Sequence, residues 1–291
     1  MIRKAVLPVA GLGTRALPAT KVVPKELLPV VDKPAIQYMV EECARAGLDD
    51  VLFVNSAGKH LIEDHFDRLA DLEAALDAKG KVEELEMVRE LASLATIHSV
   101  RQPEPLGLGH AILMAASHVG DEGFAVLLGD DIVDPSAPFL ERMIDIHDQT
   151  GRAVLALMEV PDEQTSLYGI ATVEPTDTPG VFDIVDLVEK PPPGTAPSNL
   201  AVIGRYVLPG SIFPELERTQ PGRGGEIQVT DALRAMAHRE PIVGVLLDVP
   251  RHDVGDKLGF LQATVELAAQ RPEFGAEFVA WLRDWVAEQP R

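Results

Sequence analysis

Lys4-Ala5-Val6-Leu7-Pro8-Val9-Ala10-Gly11-Leu12-Gly13-Thr14-Arg15 is followed, eight residues later, by Pro24-Lys25-Glu26-Leu27-Leu28-Pro29-Val30. A short apolar run ending in small residues reads as a buried strand that feeds a loop. Successive backbone N–H groups in such a turn form a nest for anions, and glycine lets the backbone come close. Arg15 at the loop's end and Lys25 ten residues on add two cations beside that nest. Together they read as a polyphosphate site and point to nucleotide chemistry.

Taken alone, Gly11-Leu12-Gly13 is a tight strand-to-helix turn. It lacks the third glycine of the dinucleotide fingerprint and the Gly-Lys-Ser/Thr ending of a P-loop. The missing glycine and the arginine at that point also argue against an NAD-dependent oxidoreductase.

A chain of 291 residues can form one large α/β domain or two small ones. No uninterrupted apolar run approaches the ~20 residues of a membrane helix. The basic pair and apolar run at the start resemble a secretory leader. The run is short, however, is broken by Pro8, and leads into the glycines with no secretory-type cleavage site, so it reads as the first core strand. The single cysteine, Cys43, excludes an intramolecular disulfide and fits a reducing cytoplasm. It lies in the helix-like Tyr38–Ala44 stretch, which predicts a buried thiol rather than a nucleophile. The net charge of −20 argues against general nucleic-acid binding, which needs Lys and Arg to neutralise phosphates. It also opposes long-range steering of phosphorylated substrates, so local cations and a divalent metal must supply the attraction.

Strand-like runs at Ala5–Val9, Val51–Val54, Ile97–Val100, Ala125–Leu128 and Val154–Met158 alternate with helical periodicity at Ala35–Ala46, Ile62–Leu94, Leu108–His118 and Phe139–Asp148. Such alternation predicts a Rossmann-like α/β fold with a mixed, mainly parallel sheet flanked by helices, and ligands at the strands' carboxyl ends. Gly80 is expected to break Ile62–Leu94 into two packed amphipathic helices. Beyond Gly151 proline clusters and short strands, Tyr168–Val173 and Phe182–Val188, replace long helices, while Leu200–Leu208 still reads as core. The expected organisation is one domain with lobes over 1–150 and 151–257 and terminal helices over 258–291. The last helix, Phe274–Glu288, carries Trp281 and Trp285, either docked on its own core or forming an oligomer contact.

Four further constellations carry chemistry. In Gln102-Pro103-Glu104-Pro105-Leu106-Gly107 an amide and a glycine follow a strand, and Gln pairs a donor with an acceptor as the edge of a uracil requires; a plain turn also fits. Asp130-Asp131 ends an apolar strand where hard-cation ligands belong. Neighbouring strand side chains point to opposite faces, so at most one of them faces a metal directly. Glu189-Lys190 follows Tyr168-Gly169-Ile170 in sequence, and such a pair is often only a surface ion pair. Asp253-Val254-Gly255 reads as a turn in isolation.

Gly-x-Gly-Thr-Arg, eight residues, then Pro-Lys-Glu-Leu-Leu-Pro-Val resembles the signature of the sugar-1-phosphate nucleotidylyltransferases. The continuation Asp32-Lys33-Pro34-Ala35-Ile36-Gln37-Tyr38 is most similar to the bacterial UTP–glucose-1-phosphate uridylyltransferases, and the likeness covers nearly the full chain. The resemblance implies a nucleotide-diphospho-sugar transferase fold and transfer of UMP from UTP to glucose 1-phosphate, with Mg²⁺. It implies nucleotide contacts from Ala10, Gly11, Gly13, Thr14, Gln102 and Gly107, and sugar contacts from Gly169, Glu189 and Asn199. Catalytic cations would be Arg15, Lys25 and Lys190, with Lys257 a further phosphate contact, and the metal ligands Asp130 and Asp253. The stretch Gly225–Asp231 would shape the sugar pocket. A cytoplasmic homodimer or homotetramer without nucleic-acid or membrane partners is expected. A thymidylyl- or guanylyltransferase, or a catalytically weak regulatory paralogue, are the competing readings. One departure, Asn55-Ser56-Ala57-Gly58-Lys59 in place of Thr-Gly-Arg before Gly-Lys, is expected to lie outside these motifs.

Overall fold

Nine strands form one sheet in the spatial order Thr96–Arg101, Asp50–Asn55, Lys4–Pro8, Phe124–Leu127, Leu200–Leu208, Val154–Glu159, Ile242–Leu246, Val181–Glu189, Gly169–Pro175. This is a computed structural model, and it describes residues 2–289. Seven strands run in one direction; Leu200–Leu208 and Val181–Glu189 oppose them. The sheet is therefore mixed, with parallel neighbours among its first four strands and mostly antiparallel neighbours beyond them. Its first four strands are the expected apolar runs, two of them a residue longer at each end and two, Lys4–Pro8 and Phe124–Leu127, shifted one residue earlier.

Strand alternation divides the core into two layers. Ala5 and Leu7 face one apolar cluster, closed by Ala35–Arg45, Phe139–Thr150 and Lys257–Ala269. Val6 faces the other, closed by Leu108–Leu113, Ile212–Arg218 and Val229–Ala237. Each fully buried aliphatic side chain contributes about 1.5–3 kcal/mol. Cys43 is fully buried in the first cluster, and burial pushes its thiol far above the ordinary range. Leu200–Leu208 is buried along its whole length, so the chain's second half completes the sheet begun by the first.

Two helical expectations shift. Ile62–Leu94 divides into three helices, Leu61–Asp64, Ala70–Ala78 and Val82–Leu91, with Gly80 at φ 66° between the last two. Leu69 and Leu72 stay exposed, and the carboxylate of Glu73, gripped by Arg68 and Arg89, ties this excursion together. Leu108–His118 divides into Leu108–Leu113 and Ala116–Val119.

The terminal helix Gly275–Ala287 packs beside Lys257–Ala269. Its tryptophans stack on one another with centroids 6.3 Å apart and remain half exposed, Trp281 at 56% and Trp285 at 47%. They therefore do not dock into the chain's own core. No helix among the described residues is long and apolar enough to cross a membrane.

Candidate active site

The glycine loop leaves the sheet where Val9 N–H donates to Val54 O, at the carboxyl ends of two parallel strands. Gly13 is left-handed at φ 64°, and a Cβ there would lie 3.1 Å from Lys25 Cβ. A side chain would therefore push apart the loop and the segment that carries the second cation. Thr20 Oγ1 donates to Gly13 O at 2.7 Å and closes this turn. A cavity of about 530 Å³ opens here, lined by Ala10, Gly11, Gly13, Thr14, Arg15 and Lys25 from the first motif. Gln102 and Gly107 line its other end, and Asp130 its floor.

Asp130 and Asp131 part ways as expected, but through a turn at Asp130 and a strand that begins at Asp131 rather than along one strand. Asp131 is buried, its carboxylate accepting from Gly204 N–H at 2.9 Å and from Arg251 Nε at 2.6 Å. Asp130 Oδ2 instead lies 2.5 Å from Lys25 Nζ and 3.6 Å from Arg15. Burial alone would raise the Asp130 carboxyl, but Lys25 and then Arg15 outweigh it and hold the group below its ordinary range.

Asp253 reaches the same place through a two-stranded ladder in which Arg251–Asp253 pairs antiparallel with Asp131–Val133. Val254 N–H donates to Asp130 O at 2.9 Å. A Cβ on Gly255 would fall 2.6 Å from Asp130 Oδ2 and 2.9 Å from Asp253 Oδ1, so both oxygens border one small cradle. Burial raises the Asp253 carboxyl, and the neighbouring Asp130 and Asp131 add to that rise against Gly255 N–H and Arg251. Arg15 Nη2 borders the same cradle, 2.7 Å from that Cβ position, so two carboxylate oxygens of the kind a hard divalent cation takes share it with a guanidinium.

At the far end, Gly107 sits at φ 95°, and a Cβ there would come within 2.7 Å of Glu226 Cβ. Gln102 Nε2 donates to Gly107 O at 3.1 Å and meets His110 Nδ1 at 3.0 Å, so the amide is held in one orientation. Gly109 N–H and Ile227 N–H bond across to Ile227 O and Leu106 O, joining this wall to the 225–231 segment. Glu226 therefore lines this cavity, although the Gly225–Asp231 stretch was expected to shape the sugar pocket, where Thr230 of the same stretch does reach Glu189.

The remaining predicted residues form a separate group. Glu189 pairs in register with Gly169, and its carboxylate accepts from Thr230 Oγ1 at 2.7 Å while contacting Lys190 Nζ at 2.8 Å. Lys190 holds a positive φ of 43°. Asn199 is exposed at the start of its strand, with its carbonyl accepting from Val160 N–H. None of Gly169, Glu189, Lys190 or Asn199 lines the loop cavity. Lys257 opens the helix that Asp256 caps.

The Asn55–Lys59 stretch corrects the reading from sequence, because it does touch the first motif. Lys59 Nζ donates to Val9 O and Gly11 O, both at 2.6 Å, and to Glu26 Oε2 at 3.0 Å. Lys59 thus clamps the glycine loop from beneath while pairing a glutamate that is 1% exposed. Burial raises the Glu26 carboxyl, with Lys59 and Lys25 opposing, and burial likewise lowers the Lys59 ammonium. The sequence signal available was the charge of Glu26 directly before the apolar Leu27-Leu28-Pro29-Val30 run, which read as part of the motif rather than as a buried partner.

Residues 4–270 match the sequence profile of the nucleotidyl transferases. The chain belongs to the nucleotidyl transferase family. Within it, the chain is 50% identical to UTP–glucose-1-phosphate uridylyltransferase YngB of Bacillus subtilis, over 100% of this chain and 97% of the relative. It is 47% identical to a UTP–glucose-1-phosphate uridylyltransferase of Staphylococcus epidermidis, over 97% and 98%. The fold matches the UTP-bound UGPase from Acinetobacter baumannii with a TM-score of 0.90 at 41% identity, covering 100% of both chains. It also matches a UDP-glucose pyrophosphorylase complexed with UDP-glucose, with a TM-score of 0.85 at 40% identity over 93% of this chain and 100% of that one. This nucleotidyl transferase therefore shares fold and full length with enzymes that carry UTP and UDP-glucose.

Proposed function

We propose that the protein is a UTP–glucose-1-phosphate uridylyltransferase that makes UDP-glucose and pyrophosphate reversibly. The observation that carries this reading is the convergence of Arg15, Lys25 and Asp130 on one glycine-loop cavity whose far wall holds Gln102 and Gly107. Full-length likeness to uridylyltransferases supports the choice of substrates.

Glucose 1-phosphate needs no general base, since a phosphate monoester's second pKa is about 6 and the nucleophile is already anionic. A phosphate oxygen attacks the α-phosphorus of UTP in line. The bond from that phosphorus to the bridging oxygen breaks, and pyrophosphate leaves with the electron pair. The chain's task is positioning and charge neutralisation. In this reading the loop amides from Ala10 to Thr14 cradle the triphosphate, and the planar fork of Arg15 braces two of its oxygens. Lys25 lies between the α-phosphate and the sugar phosphate and reduces their repulsion. Gln102 reads the uracil edge, with Gly107 leaving room for the ring. Glu189 accepts from glucose hydroxyls, Lys190 holds the sugar phosphate, and Gly169 and Asn199 complete the sugar side. Asp130 and Asp253 would hold Mg²⁺, which supplies Lewis-acid neutralisation of phosphate charge when bound.

The lobes over 1–150 and 151–257 then divide nucleotide from sugar, and the exposed tryptophans of the terminal helix support a homo-oligomer. Pyrophosphate release with glucose 1-phosphate and each of UTP, dTTP, GTP and ATP tests the function. Mg²⁺-dependent turnover fastest with UTP is expected, and no turnover with any triphosphate rejects it. A dTTP rate within about tenfold of the UTP rate identifies a thymidylyltransferase-like base pocket, because one methyl is worth only about 1–3 kcal/mol.

A further inference from the structure

At the opposite end of the strand Asp50–Asn55 from the glycine loop, three side chains of unrelated sequence position gather outside the site described above. Asp50 begins that strand, and His98 lies on the sheet's edge strand opposite Leu52. Asp50, Leu52 and His98 share one face of the sheet by strand alternation. His118 descends onto this face from the short helix Ala116–Val119.

His118 Nε2 lies 2.8 Å from Asp50 Oδ1, and His98 Nε2 lies 3.7 Å from the same oxygen. One ligand atom from each of the three lies within 4.8 Å of the others, and the two imidazole centroids are 4.8 Å apart. A hydrogen bond from His118 to Asp50 accounts for the first contact but leaves His98 outside hydrogen-bond reach. Tetrahedral coordination with metal–ligand bonds of about 2.0–2.2 Å would space ligand atoms about 3.4 Å apart, and the two observed separations straddle that value. Neighbouring cations have other partners: Lys4 Nζ is turned to Glu122 and to the carbonyls of His118 and Val119, and Arg3, which feels the Asp50 charge, is bonded to Asp49. Among the described residues this is the cluster of three His, Cys, Asp or Glu side chains with metal-ligand spacing.

We propose that Asp50, His98 and His118 bind a divalent transition-metal ion, zinc by preference, at a site separate from the catalytic aspartates. Two imidazoles and one carboxylate suit a borderline ion such as zinc rather than magnesium, which prefers an all-oxygen shell. The exposure of His98 leaves a fourth position for water. The bound ion would cross-link the edge strand Thr96–Arg101, its inner neighbour Asp50–Asn55 and the helix Ala116–Val119. The ion would thereby fasten the sheet's open edge.

The test uses the full-length, tag-free protein, stripped by a chelator, dialysed into excess Mg²⁺, and titrated with Zn²⁺ by calorimetry and with Co²⁺ by visible absorption. One ion per chain is expected, with a cobalt spectrum typical of nitrogen and oxygen ligands and a thermal midpoint that rises with Zn²⁺. His98→Ala alters an exposed side chain, and His118→Gln keeps a donor for Asp50, so both should fold and retain activity. Each should weaken zinc binding by more than the roughly 10–100-fold that loss of an outer-shell partner costs. Absence of a zinc site in the presence of Mg²⁺ overturns the proposal. So does equal binding by both variants, or a zinc ion lost with Asp130→Asn but retained in His98→Ala.

Discussion

Lys25 Nζ stands 2.5 Å from Asp130 Oδ2, joining a turn near the start of the chain to the turn that follows the central strand Phe124–Leu127. The cation read as a phosphate ligand and the carboxylate read as a metal ligand are thus each other's partners in the free protein. The contact aligns both groups before substrate arrives, which is how a preorganised site lowers a barrier without reorganisation. Lys25→Ala should lower turnover about 10²–10³-fold. Arg15→Ala should cost a comparable factor without loss of stability, because Arg15 is largely exposed. Pyrophosphate release, set beside thermal melts of both variants, separates the two effects.

Lys59→Met should destabilise far more than a surface substitution, since it leaves Glu26 buried with its only cationic hydrogen-bond partner removed and frees two loop carbonyls. Breaking a buried ion pair from one side costs about 3–5 kcal/mol. Urea unfolding should show a loss of this size, and adding Glu26→Gln should restore part of it. A double substitution no better than Lys59→Met alone would mean that the loop carbonyls, not the carboxylate, account for the loss.

Asp253→Asn should raise the Mg²⁺ concentration for half-maximal rate by roughly tenfold or more, as expected when a metal site loses an oriented ligand. Rate against Mg²⁺ at saturating UTP gives the number. An unchanged curve would remove Asp253 from the metal site despite its shared cradle with Asp130.

The helical excursion carries a pH dependence. Hydrogen bonds from Arg68 and then Arg89 lower the Glu73 carboxyl from 4.5 to about 2. A depressed folded-state value means that the stabilisation is complete above 4.5 and is lost as pH falls toward 2. Glu73→Gln should therefore flatten stability against pH across that window, read by urea titrations at stepped pH. Equal slopes for wild type and variant would show that the arginines grip Glu73 equally in the unfolded chain.

Gly107→Ala forces a side chain into a left-handed backbone and against Glu226. Strain of this kind costs about 1–3 kcal/mol. The Michaelis constant for UTP should rise while that for glucose 1-phosphate changes little, because Gly107 lies on the Gln102 side of the cavity and away from Glu189.

The fold and the glycine-loop half of the site were legible because their signals are local. Apolar runs marked the parallel strands, and Gly13, Arg15 and Lys25 lie within one short stretch. That at most one of Asp130 and Asp131 faces the site was expected from strand alternation, but a turn at Asp130 produces it. Lys59 was not, since its role depends on a loop passing over it from another strand. Glu226 was not, since only the bonds between Leu106 and Ile227 bring it to the cavity. The tryptophans left two alternatives, and their exposure removes docking on the chain's own core.

What the sequence by itself determined is which segments become buried strands and which small-residue turns can hold an anion, because both follow from period and backbone freedom over a few residues. Only the tertiary structure decided that Asp253 lies beside Asp130, that Asp131 turns inward to Arg251, and that Lys59 reaches beneath the glycine loop. The physical reason is that these placements depend on strand register and on the burial of charges. Neither is set until distant parts of the chain pair and exclude water.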